Sequence, residues 1–406
     1  MTTDPFAPAQ LGPVTLRNRF IKAATFEGMA VKNAMTDAII DFHRAPSAGG
    51  LGMTTLAYCA VSRDGQGAPN EIVMRPEILE GLTDFTTAVH ATGARASIQL
   101  GHAGPVGVAA GGPGLSATKK FAPQGMRFTK EATEADLARV ISDFENAAEV
   151  AVDAGFDCIE LHFGHGYLVS NFLSPKRNER TDKWGGSLDG RARLAREVAR
   201  RVAERVNGRT AITAKINLSD GVPGGFWVDE CVQVAKMLEA DGTIDALELS
   251  GGSSLENAMY FFRGTPPIHE MAQIFPKHMR LGFRLAAKKL MPAYPYEEAF
   301  FLPEARQVRA AVDMPLILVG GITQLETVHR VLGEGFDFVA MGRAILREPD
   351  LINKWQAGST TQSLCIHCNK CMPSIYAGTH CVLVEKPDRP GHAHWPPTKS
   401  TSGVQQ

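Results

Sequence analysis

The chain has 406 residues, of which 44% are apolar and 21% charged, and its formal net charge is -1. These values are ordinary for a globular protein with a sizeable core, and they give no electrostatic case for binding nucleic acid or an anionic membrane. The first residues lack the pattern of a secretory signal, and no apolar run approaches the ~20 residues of a membrane span, so we expect a cytoplasmic protein.

Eight short apolar runs, separated by segments with helical periodicity, recur in chain order. Such runs are typical of strands that are buried on both faces of a parallel sheet. About eight alternations of strand and helix predict an α/β fold, a closed (β/α)8 TIM barrel, with a doubly wound open sheet as the alternative. The predicted strands are 20–24, 52–61, 96–100, 158–162, 211–216, 246–250, 316–320 and 338–342.

A long insertion separates the sixth and seventh predicted strands. Residues 255–300 are rich in aromatic, methionine and basic residues, and they could form a lid over the catalytic face or pack on the outside of the barrel. We expect one barrel domain over residues 1–358, a cysteine-rich extension over 359–384 and a disordered tail over 385–406. No G-x-G-x-x-G motif follows a predicted strand, so a separate dinucleotide-binding domain is not expected.

Two histidines and a tyrosine follow the fourth predicted strand. His162 ends this strand, and His165 and Tyr167 lie in the loop behind it. Because chemistry in such barrels takes place where strands end, both imidazoles could bind one substrate oxygen and the phenol could donate a proton. A metal site at the histidines and a purely structural role are the alternatives, although no further ligand stands at a recognisable spacing.

The stretch GFDCIELHFGHGYLVSNFLSPKRNERTDKWGGSLDGRARL closely resembles the signature of the old yellow enzyme family, the FMN-dependent NADH:flavin oxidoreductases. LRNRFIKAA, SIQLGHAG, LILVGGI and VAMGRAILREPDL extend the resemblance over about residues 5–358. The resemblance implies a barrel with FMN on its C-terminal face, which NAD(P)H reduces. It further implies reduction of the C=C bond of an α,β-unsaturated carbonyl compound, such as an enone or enal. The hydride would come from flavin N5 and the proton from Tyr167, while His162 and His165 bind the carbonyl oxygen.

The resemblance also implies a set of flavin contacts. These comprise small residues at the ends of the first two strands, a glutamine at the pyrimidine edge, a cation near flavin N1 and O2, and a phosphate site after the last two strands. The cation is a lysine where the family usually has an arginine, so charge is retained without the planar fork of a guanidinium. The implied flavin-binding residues are Ala23, Ala24, Thr25, Ala57, Gln99, Lys215, Gly320, Gly321, Gly342 and Arg343.

Four of the seven cysteines cluster after the predicted barrel in the pattern Cys-x2-Cys-x2-Cys-x9-Cys. Thiolates at this spacing could hold a [4Fe–4S] cluster or zinc, or they could remain unligated. The pattern resembles the cluster motif of the dienoyl-CoA reductase and trimethylamine dehydrogenase branch, in which the last spacing is slightly longer and the cluster relays electrons. The four residues are Cys365, Cys368, Cys371 and Cys381.

The sequence therefore predicts an FMN-dependent NAD(P)H oxidoreductase of the ene-reductase type. Oxidative dehydrogenation or demethylation of a small amine, with electrons leaving through the cysteines, is the enzymatic alternative, and a redox sensor is the non-enzymatic one. We expect a small-molecule substrate and neither nucleic acid nor membrane as partner. An electron-transfer partner and a homo-oligomer are both compatible with the sequence.

Overall fold

In the computed structural model, which describes residues 3–107, 111–122 and 126–394, eight parallel strands close into a barrel. The first strand pairs with both the second and the eighth, which confirms the predicted (β/α)8 barrel and excludes an open sheet. The barrel strands are β1 (Phe20–Lys22), β2 (Met53–Ala60), β3 (Arg95–Gly101), β4 (Cys158–Phe163), β5 (Ala211–Asn217), β6 (Ala246–Ser250), β7 (Leu316–Val319) and β8 (Phe338–Met341).

One main helix follows each of the first seven strands, and two short helices follow the eighth. The helices are α1 (Asp37–Ala48), α2 (Leu79–His90), α3 (Glu134–Asp153), α4 (Leu188–Val206), α5 (Val228–Asp241), α6 (Leu302–Arg309), α7 (Leu325–Gly333), α8 (Arg343–Arg347) and α9 (Leu351–Gln356). In the described part of the chain, no helix combines the length and the apolarity that a membrane span requires.

The start of α3 shows how the sequence sets a helix boundary. The Thr133 hydroxyl accepts the backbone N–H of Asp136, whose carboxylate accepts the backbone N–H of Thr133 in return. Such a reciprocal cap stabilises a helix by about 1 kcal/mol. The helix begins at Glu134, and Gly155 follows its end with a positive φ of 82°.

The interior of the barrel is divided into an apolar floor and a polar upper part. Because strand side chains alternate, every second residue points inward, and the floor is closed below by the N-terminal hairpin of Ala9–Leu11 and Val14–Leu16. Above the floor, the inward positions of the strands carry Gln99, Glu160 and Lys215. The floor consists of Ile21, Met53, Cys158, Ala211, Ala246, Ile317 and Phe338.

The insertion between β6 and α6 lies at the carboxyl ends of the strands. It contains three helices, Met259–Phe262, Ile268–Ile274 and Arg280–Leu290. Phe261 stacks on the ring of His165, so at least the start of the insertion covers the catalytic face. Among the other short elements are the strands Ile72–Val73, Leu115–Ser116, Phe121–Ala122, Arg127–Phe128 and Lys130–Glu131 and the α-helix Leu168–Leu173.

The C-terminal segment differs in part from the expected disordered tail. Residues 385–394 contain two short 3-10 helices, Lys386–Asp388 and His392–His394, and the second packs against α1. The contact is close, because a Cβ at Gly391 would lie 2.2 Å from the carbonyl oxygen of Ala38. This close approach places the start of the segment's second 3-10 helix directly on α1. The rest of the expected tail, 395–406, lies outside the described residues.

Candidate active site

The structure brings His162, His165 and Tyr167 together at the carboxyl end of β4. The ring centroid of His162 lies 5.1 Å from that of His165 and 4.6 Å from that of Tyr167. The ring of Tyr58, at the end of β2, packs edge-on against Tyr167 at 5.2 Å. The three predicted catalytic side chains therefore form one continuous group, with Tyr58 as a fourth member that the sequence analysis did not identify.

His165 is held by residues from three other parts of the barrel. Its backbone is left-handed, with φ 61°, and its N–H donates to the Asn217 side-chain oxygen at 3.0 Å. Its Nε2 lies 2.8 Å from the Ser250 hydroxyl at the end of β6. Phe261 from the insertion stacks on its ring at 4.8 Å. The imidazole is therefore positioned before any ligand arrives, which lowers the entropic cost of catalysis.

Burial keeps both imidazoles neutral. It lowers the pKa of His162 well below the ordinary value and that of His165 to about 3, and the nearby Lys215 ammonium acts in the same direction. A neutral imidazole has one N–H donor, so each ring can donate one hydrogen bond to a ligand. The site therefore presents polar donors without a formal positive charge from the histidines.

Tyr167 is a protonated phenol over the whole neutral range. Burial raises its pKa above the ordinary value, and the negative charge of an ionised Glu71 would raise it further. Glu71 is itself buried, and its Oε2 accepts the Gly67 N–H at 2.6 Å. Burial raises the pKa of Glu71 to about 8, so this carboxyl carries a proton at neutral pH. Both groups thus hold protons at neutral pH, and that of Tyr167 lies beside His162.

The ends of β1 and β2 provide a surface lined with small side chains. Ala24 and Tyr167 pack against a cluster that contains Ala57 and Tyr58, and a Cβ at Gly342 would lie 3.8 Å from the Thr25 hydroxyl. Ala24 and Ala57 thus place small side chains beside the predicted proton donor, which suits the face of a planar ring, whereas Ala23 belongs to the cluster at the barrel floor.

The backbone at Ala57 is fixed from beneath this surface. Glu27 Oε1 accepts the Ala57 N–H at 3.0 Å and lies 2.7 Å from His43 Nε2. Burial raises the pKa of Glu27 to about 8, against the opposing effect of Lys22. A buried carboxyl with two partners on separate elements holds the end of β2 in place.

Two predicted flavin-edge residues belong to a polar network inside the barrel. The Gln99 Nε2 donates to Glu160 Oε1 at 2.6 Å and lies 3.4 Å from His162 Nδ1. The Lys215 Nζ lies 2.8 Å from Glu160 and 3.1 Å from Glu248. Neither acid was predicted from the sequence. Their signal was a carboxylate between apolar residues at an inward strand position, in CIEL and in ALEL.

The ends of β7 and β8 provide a glycine-lined cradle. Gly320 and Gly321 have positive φ values of 114° and 71°, and a Cβ at Gly320 would lie 2.6 Å from the Phe301 ring. Gly342 directly follows β8, as Gly320 directly follows β7, and it is the residue before α8. Backbone amides at such strand ends suit a phosphate group, so these three glycines fit the predicted phosphate site.

Arg343 is directed away from the centre of this cradle. Its Nη1 donates to the Asn369 side-chain oxygen at 2.5 Å, and its guanidinium lies about 6 Å from the rings of Phe262 and Tyr296. It also lines the cavity of the cysteine cluster. Of the ten predicted flavin contacts, Arg343 is thus the one that the structure also ties to the C-terminal extension.

The four clustered cysteines line one cavity next to α8, and each carries a free thiol. Burial raises the pKa of the Cys371 thiol to about 12, and the Arg343 guanidinium partly opposes this. Within 3–107, 111–122 and 126–394, no three histidine, cysteine or acidic side chains converge closely enough to hold a single metal ion. The thiols surround a space rather than meeting at a point.

These features together fit flavin mononucleotide. Small side chains leave space for the ring, Gln99 and Lys215 provide polar contacts for its pyrimidine edge, and the glycines provide amides for its phosphate. A closed barrel with these groups beside a buried His/His/Tyr set defines an FMN-dependent oxidoreductase of the barrel type.

Comparison with known families leads to the same class. Residues 4–257 match the NADH:flavin oxidoreductase / NADH oxidase family, and the chain belongs to this family. This confirms the resemblance found in the sequence. Residues 298–376, which contain β7 and β8, also match a family described as histidine biosynthesis protein.

One relative matches the chain over nearly its full length. A 4,4'-dithiodibutanoate disulfide reductase of Rhodococcus erythropolis is 52% identical over 389 residues, which cover 94% of this chain and 96% of the relative. Other relatives, 29% identical, are longer, and the chain spans 52% of their length.

Solved structures share the fold. A 2-naphthoyl-CoA reductase complex aligns with a TM-score of 0.80 and 23% identity, covering 98% of this chain and 58% of that chain. An old yellow enzyme homologue from Zymomonas mobilis aligns with a TM-score of 0.71 and 22% identity, covering 90% of this chain and 95% of that chain.

The family match and the relatives together define the class of the protein. The chain is an FMN-dependent oxidoreductase that uses NADH or NADPH.

Proposed function

We propose that the chain reduces an organic disulfide that carries carboxylate groups. The balanced reaction is NAD(P)H + H⁺ + RSSR → NAD(P)⁺ + 2 RSH. The observation that carries this proposal is the 52% identity with a 4,4'-dithiodibutanoate disulfide reductase over 94% of this chain and 96% of that relative. Identity at this level over both full lengths makes the activity of this relative the first candidate for the chain.

When bound, FMN supplies the hydride that is taken from NADH or NADPH. Breaking the S–S bond places negative charge on the departing sulfur. The two neutral imidazoles of His162 and His165 provide N–H donors toward that charge, and Tyr167 provides the proton that converts the thiolate into a thiol. Tyr167 would recover its proton from solvent or from a neighbouring acid such as Glu71.

Reduction of an activated C=C bond is the second candidate function. The geometry favours it, because two imidazole rings 5.1 Å apart can bind one carbonyl oxygen while the phenol lies 4.6 Å from His162. In this reaction Tyr167 protonates the α-carbon of an enone or enal. Both candidates use the same three side chains in the same roles, and they differ in the atom that accepts the hydride.

The cysteine cavity supports a further part of the proposal, a [4Fe–4S] cluster. Zinc holds its sulfur ligands about 2.3 Å from one point, whereas an iron–sulfur cluster occupies a volume with thiolates around it. Cys365, Cys368, Cys371 and Cys381 line a cavity without converging on a single-ion site. We therefore favour the cluster over zinc, and iron and acid-labile sulfide assays on anaerobically purified protein test this choice.

The test of function is an anaerobic assay with a panel of acceptors. Purified protein is loaded with FMN and supplied with NADH or NADPH together with 4,4'-dithiodibutanoate, 2-cyclohexenone or a methylated amine. We expect two thiols to appear for each reduced nucleotide consumed with the disulfide. Nucleotide oxidation with the enone alone would replace the first candidate by the second, and flavin reduction by the amine alone would contradict both.

A further inference from the structure

Lys215 is enclosed by two carboxylates within the barrel. It lies on β5 directly beside Glu248 of β6 in the strand register, and it neighbours His162 of β4 on the other side. Its Nζ lies 2.8 Å from Glu160 and 3.1 Å from Glu248, and the three side chains are 1–4% exposed. The carboxyl groups oppose the charge of the Lys215 ammonium at close range, and burial strengthens this interaction because the barrel interior has a low dielectric constant.

The enclosure continues to the active site through Gln99. The amide of Gln99 donates to Glu160 and approaches His162, so Glu160 receives hydrogen bonds from both predicted flavin-edge residues. The two acids therefore act on the same part of the site that the family resemblance assigns to the pyrimidine edge of the flavin. The network is assembled from β3, β4, β5 and β6, which fixes its geometry.

The charge of the network follows from burial and proximity. Burial and the adjacent Glu160 raise the pKa of Glu248 well above its ordinary value, so Glu248 holds a proton. Burial alone would raise the pKa of Glu160, but the Lys215 ammonium and hydrogen bonds lower it, so Glu160 is an anion. One ammonium and one carboxylate then cancel, and the network as a whole is close to neutral.

We propose that Glu160, with Glu248 beside it, neutralises Lys215 and thereby keeps the reduction potential of bound FMN low. An unopposed cation near N1 and O2 would stabilise the anionic reduced flavin and raise that potential. A neutralised lysine still donates hydrogen bonds but adds little field. This inference rests on the proposed function only for the advantage that a low potential would bring. Disulfides are low-potential acceptors, so they require a strongly reducing donor.

The test measures the potential of FMN and requires no acceptor. FMN-loaded protein is equilibrated with a reference dye under anaerobic reduction, and the ratio of reduced to oxidised FMN is read at a fixed dye ratio. In the double variant Glu160→Gln with Glu248→Gln, which leaves no carboxylate beside Lys215, the unopposed ammonium should raise this ratio by about tenfold or more. Glu160→Gln alone should raise it less, because Glu248, 3.1 Å from Lys215, can then ionise in its place. In Glu248→Gln, which replaces a protonated carboxyl by an amide of the same shape, the ratio should change much less.

A paired variant separates the proposal from a general disturbance. Removing both charges, in Lys215→Gln with Glu160→Gln, should leave the ratio close to that of the unmodified protein. If Lys215 acted as an unopposed cation, the same pair would lower the ratio by about tenfold, and the proposal would be wrong. Because this pair leaves no unpaired charge among Gln99, Glu248 and the two new glutamines, it also gives a decisive result if the variant without either acid fails to fold.

The two proposals fail independently. No disulfide, enone or pyridine nucleotide enters the potential measurement, so a chain inactive on disulfides could still show the predicted ratios. Conversely, a disulfide reductase in which the double variant Glu160→Gln with Glu248→Gln kept an unchanged ratio would retain the proposed function and lose this inference. A parallel FMN titration of each variant by fluorescence reports whether binding, rather than potential, has changed.

Discussion

The histidine–tyrosine site and the cysteine cavity both lie beside strand ends of the catalytic face, but they are organised differently. His165 already has partners on β5, β6 and the insertion, and its ring lies at a fixed distance from His162. The four cysteines have free thiols that surround a space and converge on no single point. The barrel itself thus builds the first site, whereas the second requires a ligand to draw its side chains together.

The largest expected effect is at the cysteine cavity. Replacing Cys371 by serine removes one of four thiolates and should abolish bound iron and sulfide, while FMN content stays the same because no cysteine contributes to the ring surface. Metal analysis and the flavin absorbance of the same sample measure both. Cys231→Ala, in the buried face of α5, is the control for loss of a thiol, and loss of FMN in Cys371→Ser alone would contradict the separation of the two regions.

The next effect concerns proton donation. Tyr167→Phe should slow reoxidation of reduced FMN by the acceptor about 100-fold or more, because the phenol supplies the proton. Reduction of FMN by NADH or NADPH should remain within about twofold. Stopped-flow measurement separates the two steps.

Tyr58→Phe is the matched control for Tyr167→Phe. It removes a buried phenol whose hydroxyl donates to the Gly65 carbonyl at 2.9 Å and whose ring packs against Tyr167. This variant should retain most of the reoxidation rate. Equal losses in both variants would show that aromatic packing, and not the Tyr167 proton, limits the reaction.

A smaller effect tests how the barrel positions His165. Ser250→Ala removes the hydroxyl 2.8 Å from His165 Nε2 and should lower kcat/KM about tenfold, as expected for one lost orienting hydrogen bond. Ser97→Ala, which alters a buried serine on β3 near the barrel floor, provides the comparison and should leave kcat/KM nearly unchanged. An unchanged Ser250→Ala would mean that Asn217 and Phe261 alone hold the ring.

The smallest effect is on stability and its dependence on pH. Glu71 has a pKa of about 8 in the folded chain, above the ordinary value of 4.5, because it is buried. Between these values the unfolded chain loses this proton and the folded chain keeps it, so the free energy of unfolding falls as pH rises. The slope from this one group is at most about 1.4 kcal/mol per pH unit. Urea denaturation of Glu71→Gln at pH 5, 6, 7 and 8 should show a flatter dependence, and an identical slope would contradict the burial argument.

Much of the fold could be predicted because each strand carries its own signal. Every predicted strand overlaps an observed one, and the start of α3 follows from Thr133 and the residues after it. Apolar runs and helix caps are local, so the sequence displays them directly. The C-terminal segment was predicted less well, since its contact with α1 joins residues that are more than 300 positions apart.

The site could be predicted only as far as single positions. The approach of Tyr167 to His162 follows from one loop, but Ser250 lies 85 residues beyond His165, and Glu248 meets Lys215 only through the register of β5 with β6. The spacing of the cysteines likewise gives their order along the chain without the shape of the space between them. Register and cavity shape are properties of the packed barrel, which a single sequence does not display.

The short helix Met259–Phe262 contacts both regions. Phe261 stacks on His165, and the next residue, Phe262, lies against the Arg343 guanidinium, which borders the cysteine cavity. Both rings belong to one helical turn, so a movement of this turn would displace Phe261 and Phe262 together, and with them the contacts on His165 and on Arg343.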